Sequence, residues 1–191
     1  TTFYYTFFGT VGAIVFGILS AQMVNQKFRG RSFIRSTLLF PYVAPVVALA
    51  FTWELLLDPN SGTLNNLLLN YNIIDKPINL LGQKYVSIFV FGYEFKLRLA
   101  LTTVIIFEIW RYFPLAFLFI LARLQAVPKE LYEAADIDGA GPYTKFMNIT
   151  LPQITAVISI LFMIRFIWNF NKFEDIFLLT GGASGTRTLP I

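Results

Sequence analysis

Residues 99–122 read LALTTVIIFEIWRYFPLAFLFILA, twenty-four residues among which only Glu108 and Arg111 carry a charge. At about 1.5 Å of rise per residue, a helix of this length covers roughly 36 Å, more than the ~30 Å hydrocarbon core of a bilayer. Outward from it, three further stretches have the same character. Residues 1–23 are uncharged, 37–57 contain only Glu54, and 151–170 contain only Arg165. Tyr85 to Phe95 is also apolar, but too short to span, and is expected to be an external strand or interfacial segment. The fold class that follows is all-α: a polytopic transmembrane helix bundle. Bulk composition agrees. Of 191 residues only 14% are charged against a typical ~25%, while 56% are apolar and 17% aromatic. A mean hydropathy of +0.63 points the same way.

Charge placement orients the bundle. The linker from Val24 to Ser36 carries Lys27, Arg29, Arg31 and Arg35 without an acid, which predicts a cytoplasmic position. Alternation then places 58–98 outside, 123–150 inside and 171–191 outside. Residues 1–23 lack a basic leader, because the arginines follow the apolar run, so the segment reads as a span and not a signal peptide. The chain starts and stops without hydrophilic tails, which suggests an excerpt of something longer.

The absence of histidine and cysteine removes a Ser-His-Asp triad, thiolate nucleophiles and zinc–thiolate sites. No metal-ligand constellation can be nominated. Basic residues flank apolar runs and are not interleaved with exposed aromatics, so nucleic acid is not expected as a partner. The glycine-rich run Gly181 to Arg187 lacks the Gly-Lys-Ser/Thr ending of a phosphate loop. It reads as a turn-rich external loop.

Within the spans, Gly9, Ala13, Gly17 and Ala21 recur every four residues and lay a small-residue stripe along one helix face. Pro41, Pro45 and Pro114 are expected to kink their helices. Ionisable groups at membrane depth cost at least ~2.5–3.5 kcal/mol, so they face protein or water. Glu54, Glu108, Arg111 and Arg165 therefore read either as the polar lining of a solute path or as structural groups. In the structural reading Glu108 and Arg111, three residues apart, neutralise one another, while Glu54 and Arg165 snorkel outward. Trp53, Trp110, Tyr112, Trp168 and Asn169 could stack on and hydrogen-bond a sugar, or form an interfacial aromatic belt.

The loop after the third span reads VPKELYEAADIDGAGPYTKF, residues 127–146. Pro128 suits a first turn, Glu130 favours the N-terminal dipole, and Gly139 with Gly141-Pro142 stop the helix. The spacing predicts two to three helical turns between spans, with Leu131, Ala134, Ala135 and Asp138 on one side. Small side chains there permit a tight fit into a partner's groove.

Glu133-Ala134-Ala135 followed by Asp138-Gly139-Ala140, Phe146, Ile149, Leu151 and Pro152 resembles the EAA motif of permease subunits of ATP-binding-cassette importers. Phe28-Arg29-Gly30-Arg31, Phe40-Pro41, Trp53, Leu121-Ala122, Leu124-Gln125 and Pro128 are similar to the sugar-permease branch. So is Asn171-Lys172-Phe173-Glu174-Asp175, while Leu179-Thr180-Gly181-Gly182 is similar to its maltose-type "F" subunit. The resemblance implies a multi-pass subunit of a binding-protein-dependent carbohydrate importer in a bacterial or archaeal cytoplasmic membrane. It implies that the loop 123–150 holds a coupling helix docking into a separate ATPase, with Glu133, Ala134, Ala135, Asp138, Gly139 and Ala140 at the motif's positions. Implied partners are a second homologous permease, an ATPase dimer that alone binds ATP and magnesium, an extracytoplasmic solute-binding protein, the sugar and the lipid bilayer. The chain itself would then need no cofactor and would not be an enzyme. Against the family's six spans, four are visible, one being expected before residue 1 and one after residue 191. The external stretch 83–98 is longer than the common form.

Two other classes would use the same residues differently. An ion-coupled carrier would use Glu54 and Glu108 as proton relays, but leaves the loop unexplained and shows no inverted repeat. An intramembrane enzyme lacks a catalytic constellation to nominate.

Overall fold

A computed structural model describes residues 2–26, 28–83, 85–90, 93–172 and 174–180, with the side chains of both β-strands outside the description. Thr1, Lys27, Phe173 and the loop Gly181 to Arg187 singled out above lie outside the described residues. Among the described residues the chain is helical apart from one hairpin. The elements are α1 (Thr2–Asn25), α2 (Arg31–Val43), α3 (Val46–Leu57), α4 (Thr63–Asn70), β1 (Val86–Val90), β2 (Tyr93–Leu97), α5 (Leu99–Gln125), α6 (Lys129–Ile137), α7 (Pro142–Lys145) and α8 (Leu151–Phe170), closed by α9 (Glu174–Thr180). A five-residue π-helical turn, Phe146–Thr150, joins α7 to α8. Pro152 lacks the N–H that would close an α-helical bond to Asn148, which accounts for the widened turn just before it.

Among the described residues three helices are long and apolar enough to cross a membrane: α1, α5 and the continuous run Pro142–Phe170. The expected second span is a fourth only as a broken pair, α2 and α3. Its break falls at Pro45, whose ring disfavours helical geometry at Ala44 and which caps α3 with φ −58° and ψ 130°. Pro41, by contrast, sits buried inside α2, and α5 runs as one helix through Pro114. The kinks expected at those two prolines therefore do not interrupt their helices. Helix α2 also starts at Arg31, six residues ahead of the expected start at Thr37, so that Arg31 and Arg35 belong to it. Of the two readings of the apolar run 85–95, strand is found at Val86–Val90 and from Tyr93 on, pairing antiparallel from Val86↔Leu97 to Val90↔Tyr93.

The described residues fall into two units. The unit of Thr10–Tyr42 and Ile109–Trp168 is built around Ala13, Ala21 and Val24 of α1, Phe113, Phe117, Ile120 and Leu124 of α5, and Ile154 and Leu161 of α8. Lipid tails are as apolar as these side chains, so close van der Waals contact holds such helices together. That explains the small-residue stripe: a Cβ added at Gly17 would lie 2.6 Å from Ala116 Cβ and 2.9 Å from the Phe117 backbone nitrogen. Gly12, outside the four-residue repeat, is just as tight, 2.3 Å from Ile109 Cδ1. Gly17→Val is expected to force α1 off α5 and cost about 1–3 kcal/mol, read as a lowered thermal midpoint of the purified protein; an unchanged midpoint would contradict the packing.

In the other unit, Thr1–Gly9, Val43–Glu108 and Asn169–Ile191, α9 packs on α3. The stretch after Phe170, read from sequence as external loop, thus contains a helix that buries Ile176 and Leu179. Buried Asn65 fastens the α4 region: its amide donates to the carbonyls of Asp58 (3.3 Å) and Ile78 (3.0 Å), and its side-chain oxygen accepts from the Ile78 N–H at 3.0 Å. Asp58 ends α3 by accepting from the N–H groups of Ser61 (2.8 Å) and Asn60 (2.9 Å). Those bonds, that of Ser61 first, hold its carboxyl below the usual aspartate value.

Candidate functional site

The loop between α5 and α8 builds the clearest site. Pro128 enters α6 in extended geometry, φ −58° and ψ 134°, and Glu130 occupies the first turn. At the far end the Gly139 N–H bonds to the Asp136 carbonyl (3.1 Å) and the Ala140 N–H reaches back to Ala135 (2.8 Å). This pair of bonds is a Schellman cap, and it requires the left-handed backbone that Gly139 adopts at φ +72°. A Cβ there would meet nothing within 4 Å. The glycine is therefore demanded by the backbone, while the space around it stays open.

No residue of α6 is buried. Glu133, Ala134, Asp138 and Gly139 are exposed, and Ala135 and Ala140 are half-buried. Ile137 is 88% exposed, although apolar, and Leu131 is 42% exposed. Anchorage comes from a different face of the helix. The Tyr132 hydroxyl meets Thr150 Oγ1 at 3.0 Å, and Asp136 forms an ion pair with Lys145. At the base of the loop Arg123 donates to the Gln153 carbonyl (2.9 Å) and to its side-chain oxygen (2.6 Å), tying α5 to the start of α8. A cavity of about 370 Å³ lies alongside, lined by Gln22, Asn25, Gln26, Tyr132 and Lys145 among others. The arrangement is a short, rigidly capped helix held at its back, presenting small and apolar side chains outward. Sequence reasoning missed the anchors, because Arg123–Gln153 and Tyr132–Thr150 join residues 30 and 18 positions apart.

The residues nominated for a solute path divide between the two units. In one, Glu108 and Asn169 are fully buried, and both stand within 4 Å of the position a Cβ on Gly9 would take. Glu108 has a counter-ion that its own helix does not supply: Lys172 Nζ lies 3.1 Å from Glu108 Oε2 and 2.8 Å from Asp175 Oδ2. A buried carboxylate needs a counter-ion, and the turn after α8 supplies one from 64 positions away. Only the Lys172–Asp175 spacing of three was visible in the sequence. Trp53 packs edge-to-face on Phe107 at 5.3 Å, and Glu54 is exposed at the rim of a cavity it shares with Asp58 and Asn79.

In the other unit, Arg111 and Arg165 both sit on the Tyr112 ring, at 5.0 and 4.1 Å from its centroid. Arg165 is 2% exposed, so it does not snorkel outward. Tyr42 abuts the same ring edge-on at 6.1 Å, and Trp110 is half-buried against the apolar core. Cation–π contact steadies guanidinium groups that would otherwise be costly at this depth.

Comparison with known proteins places this geometry. The profile of the family described as "Binding-protein-dependent transport system inner membrane component" matches residues 13–190. The inner membrane ABC transporter permease protein YcjO of Escherichia coli is 37% identical over 94% of this chain and 57% of its own length. The trehalose/maltose transport system permease protein MalF of Thermococcus litoralis is 33% identical over 93% of this chain and 55% of its own. A crystal structure of a bacterial ABC transporter involved in the import of the acidic polysaccharide alginate superposes with a TM-score of 0.78. It covers 94% of this chain and 58% of the matched one at 22% identity, a likeness of fold. The chain thus spans little more than half the length of the curated relatives it matches.

Proposed function

Because the chain belongs to the family of binding-protein-dependent transport system inner membrane components, we propose that it forms part of the membrane path of an ATP-driven carbohydrate importer, with α6 as the helix that couples it to a separate ATPase. The observation that carries this reading is α6 itself. It is capped at its C-terminus and anchored through Tyr132 and Asp136, yet Ile137, Leu131, Glu133 and Ala134 stay exposed. A helix so placed meets a groove as a rigid body and passes on that groove's displacement. ATP and magnesium would be bound by the ATPase dimer. A second homologous permease and an extracytoplasmic solute-binding protein would complete the assembly, and loop 123–150 would face the cytoplasm. The trehalose/maltose relative and the alginate transporter support carbohydrate as the substrate class. The ion-coupled carrier gains no support, since Glu108 is engaged by Lys172 and Glu54 stands apart from it on an exposed surface.

The test is co-purification of the full-length protein with an ATPase subunit, and sugar uptake in proteoliposomes that requires binding protein and internal ATP. Uptake abolished by collapsing the proton gradient but indifferent to ATP would overturn the reading. In the same assay Arg111→Ala and Trp110→Ala are expected to change the KM or rate of uptake several-fold while the ATPase stays bound. Unchanged kinetics would assign both residues to packing alone.

A further inference from the structure

The first acidic residue of the chain is Glu54, whereas Lys27, Arg29, Arg31 and Arg35 all precede it. Around the start of α2 this charge meets an unusual surface. Arg29 and Arg31 are exposed, and among the described residues neither has an ion-pair or hydrogen-bond partner for its side chain. Arg35 is used differently, donating to the Val24 carbonyl at 3.4 Å and so fixing α2 beside the end of α1. Between the arginines, Phe28, Phe33 and Ile34 are exposed, Phe33 at 77%. Helix α2 buries Pro41 and turns Leu38 and Leu39 toward the core, while Phe33, Phe40 and Val43 form an outward stripe at helical spacing. Gly30, at φ +92°, makes the turn that leads into the helix, its carbonyl accepting from the Ile34 N–H at 3.2 Å.

We propose that residues 28–35 form a docking surface for anionic phospholipid headgroups, with Arg29 and Arg31 taking the phosphates and Phe28, Phe33 and Ile34 entering the acyl boundary. Charge complementarity selects this occupant. Guanidinium groups match phosphate geometry bidentately, and basic groups next to aromatics at a span's end sit at headgroup depth. Phe33 and Phe40, exposed at 77% and 62%, suit hydrocarbon better than water. The proposal does not depend on the coupling role proposed for α6.

The experiment measures the thermal midpoint of the full-length protein, purified in detergent with its partner subunits, during titration with phosphatidylglycerol or with phosphatidylcholine. Saturable stabilisation by phosphatidylglycerol but not phosphatidylcholine is expected. Arg29→Gln/Arg31→Gln should raise the half-saturating concentration roughly 10- to 30-fold, at about one tenfold step or less per charge. Arg29→Lys/Arg31→Lys should keep most of the response, and inorganic phosphate alone should give none. Neither arginine has a partner among the described residues, so the glutamine variant is expected to keep the unlipidated midpoint. The proposal is overturned if both lipids act alike, if phosphate alone reproduces the effect, or if the glutamine variant responds like the parent. It is equally overturned if the glutamine variant sheds its ATPase while its lipid response is unchanged, which would give the arginines to a protein partner.

Discussion

Gly139→Asp and Glu133→Lys are expected to abolish sugar uptake while leaving the protein inserted at normal abundance. Gly139 must hold φ +72° for the Ala140 and Gly139 N–H groups to reach Ala135 and Asp136. An aspartate can adopt that backbone at a strain of about 1 kcal/mol, so the cap survives weakened. Its side chain, however, fills space that is empty in this chain and that a docked partner would occupy. Placing bulk and charge at the centre of a tight interface commonly costs about 2–4 kcal/mol, a 30- to 1,000-fold loss of affinity for the ATPase. Glu133→Lys reverses a charge on an exposed turn of the same helix without touching the anchors Tyr132 and Asp136. The measurements are uptake and ATPase retention on affinity purification, alongside the thermal midpoint. Gly139→Ala separates the causes: it imposes the backbone strain with little bulk and should retain most uptake. Wild-type uptake in Gly139→Asp at equal abundance would remove α6 from the coupling role.

Lys172→Met should destabilise the protein by about 3–5 kcal/mol, the range for deleting one member of a buried ion pair. Lys172 lies between Glu108 and Asp175, each at 0% exposure, and its removal would take one cation from two carboxylates in a buried site. The loss of that cation is expected to disturb the packing of α9 on α3. Adding Glu108→Gln to Lys172→Met should recover part of the loss by removing one of the two charges, whereas independent sites would give additive destabilisation. Thermal unfolding of the single and double variants distinguishes these outcomes, and additive effects would dissolve the triad.

Comparing residues shows where sequence sufficed. Helix α6 is set by neighbours within a few positions: Pro128 at its start, Glu130 in its first turn, Gly139 at its cap. Its boundaries and its outward display were therefore legible before any packing was known. The spans were legible because a bilayer demands length and apolarity, which the string itself displays. The hydropathy of 37–57 could not reveal that α2 and α3 are separate helices, because Pro41 and Pro45 look alike in sequence. Only the fold shows that Pro41 is buried in a helix while Pro45 caps the next one.

The chain alone determined that helices cross a membrane and that a short glycine-capped helix lies between two of them, since both follow from local rules of backbone geometry and transfer energy. Tertiary structure decided which charges neutralise which. The turn after α8 brings Lys172 to Glu108 from 64 positions away, and Arg111 and Arg165 rest on the Tyr112 ring. Pairings of this kind depend on which distant segments share a dry interior, and separation along the chain carries no record of that.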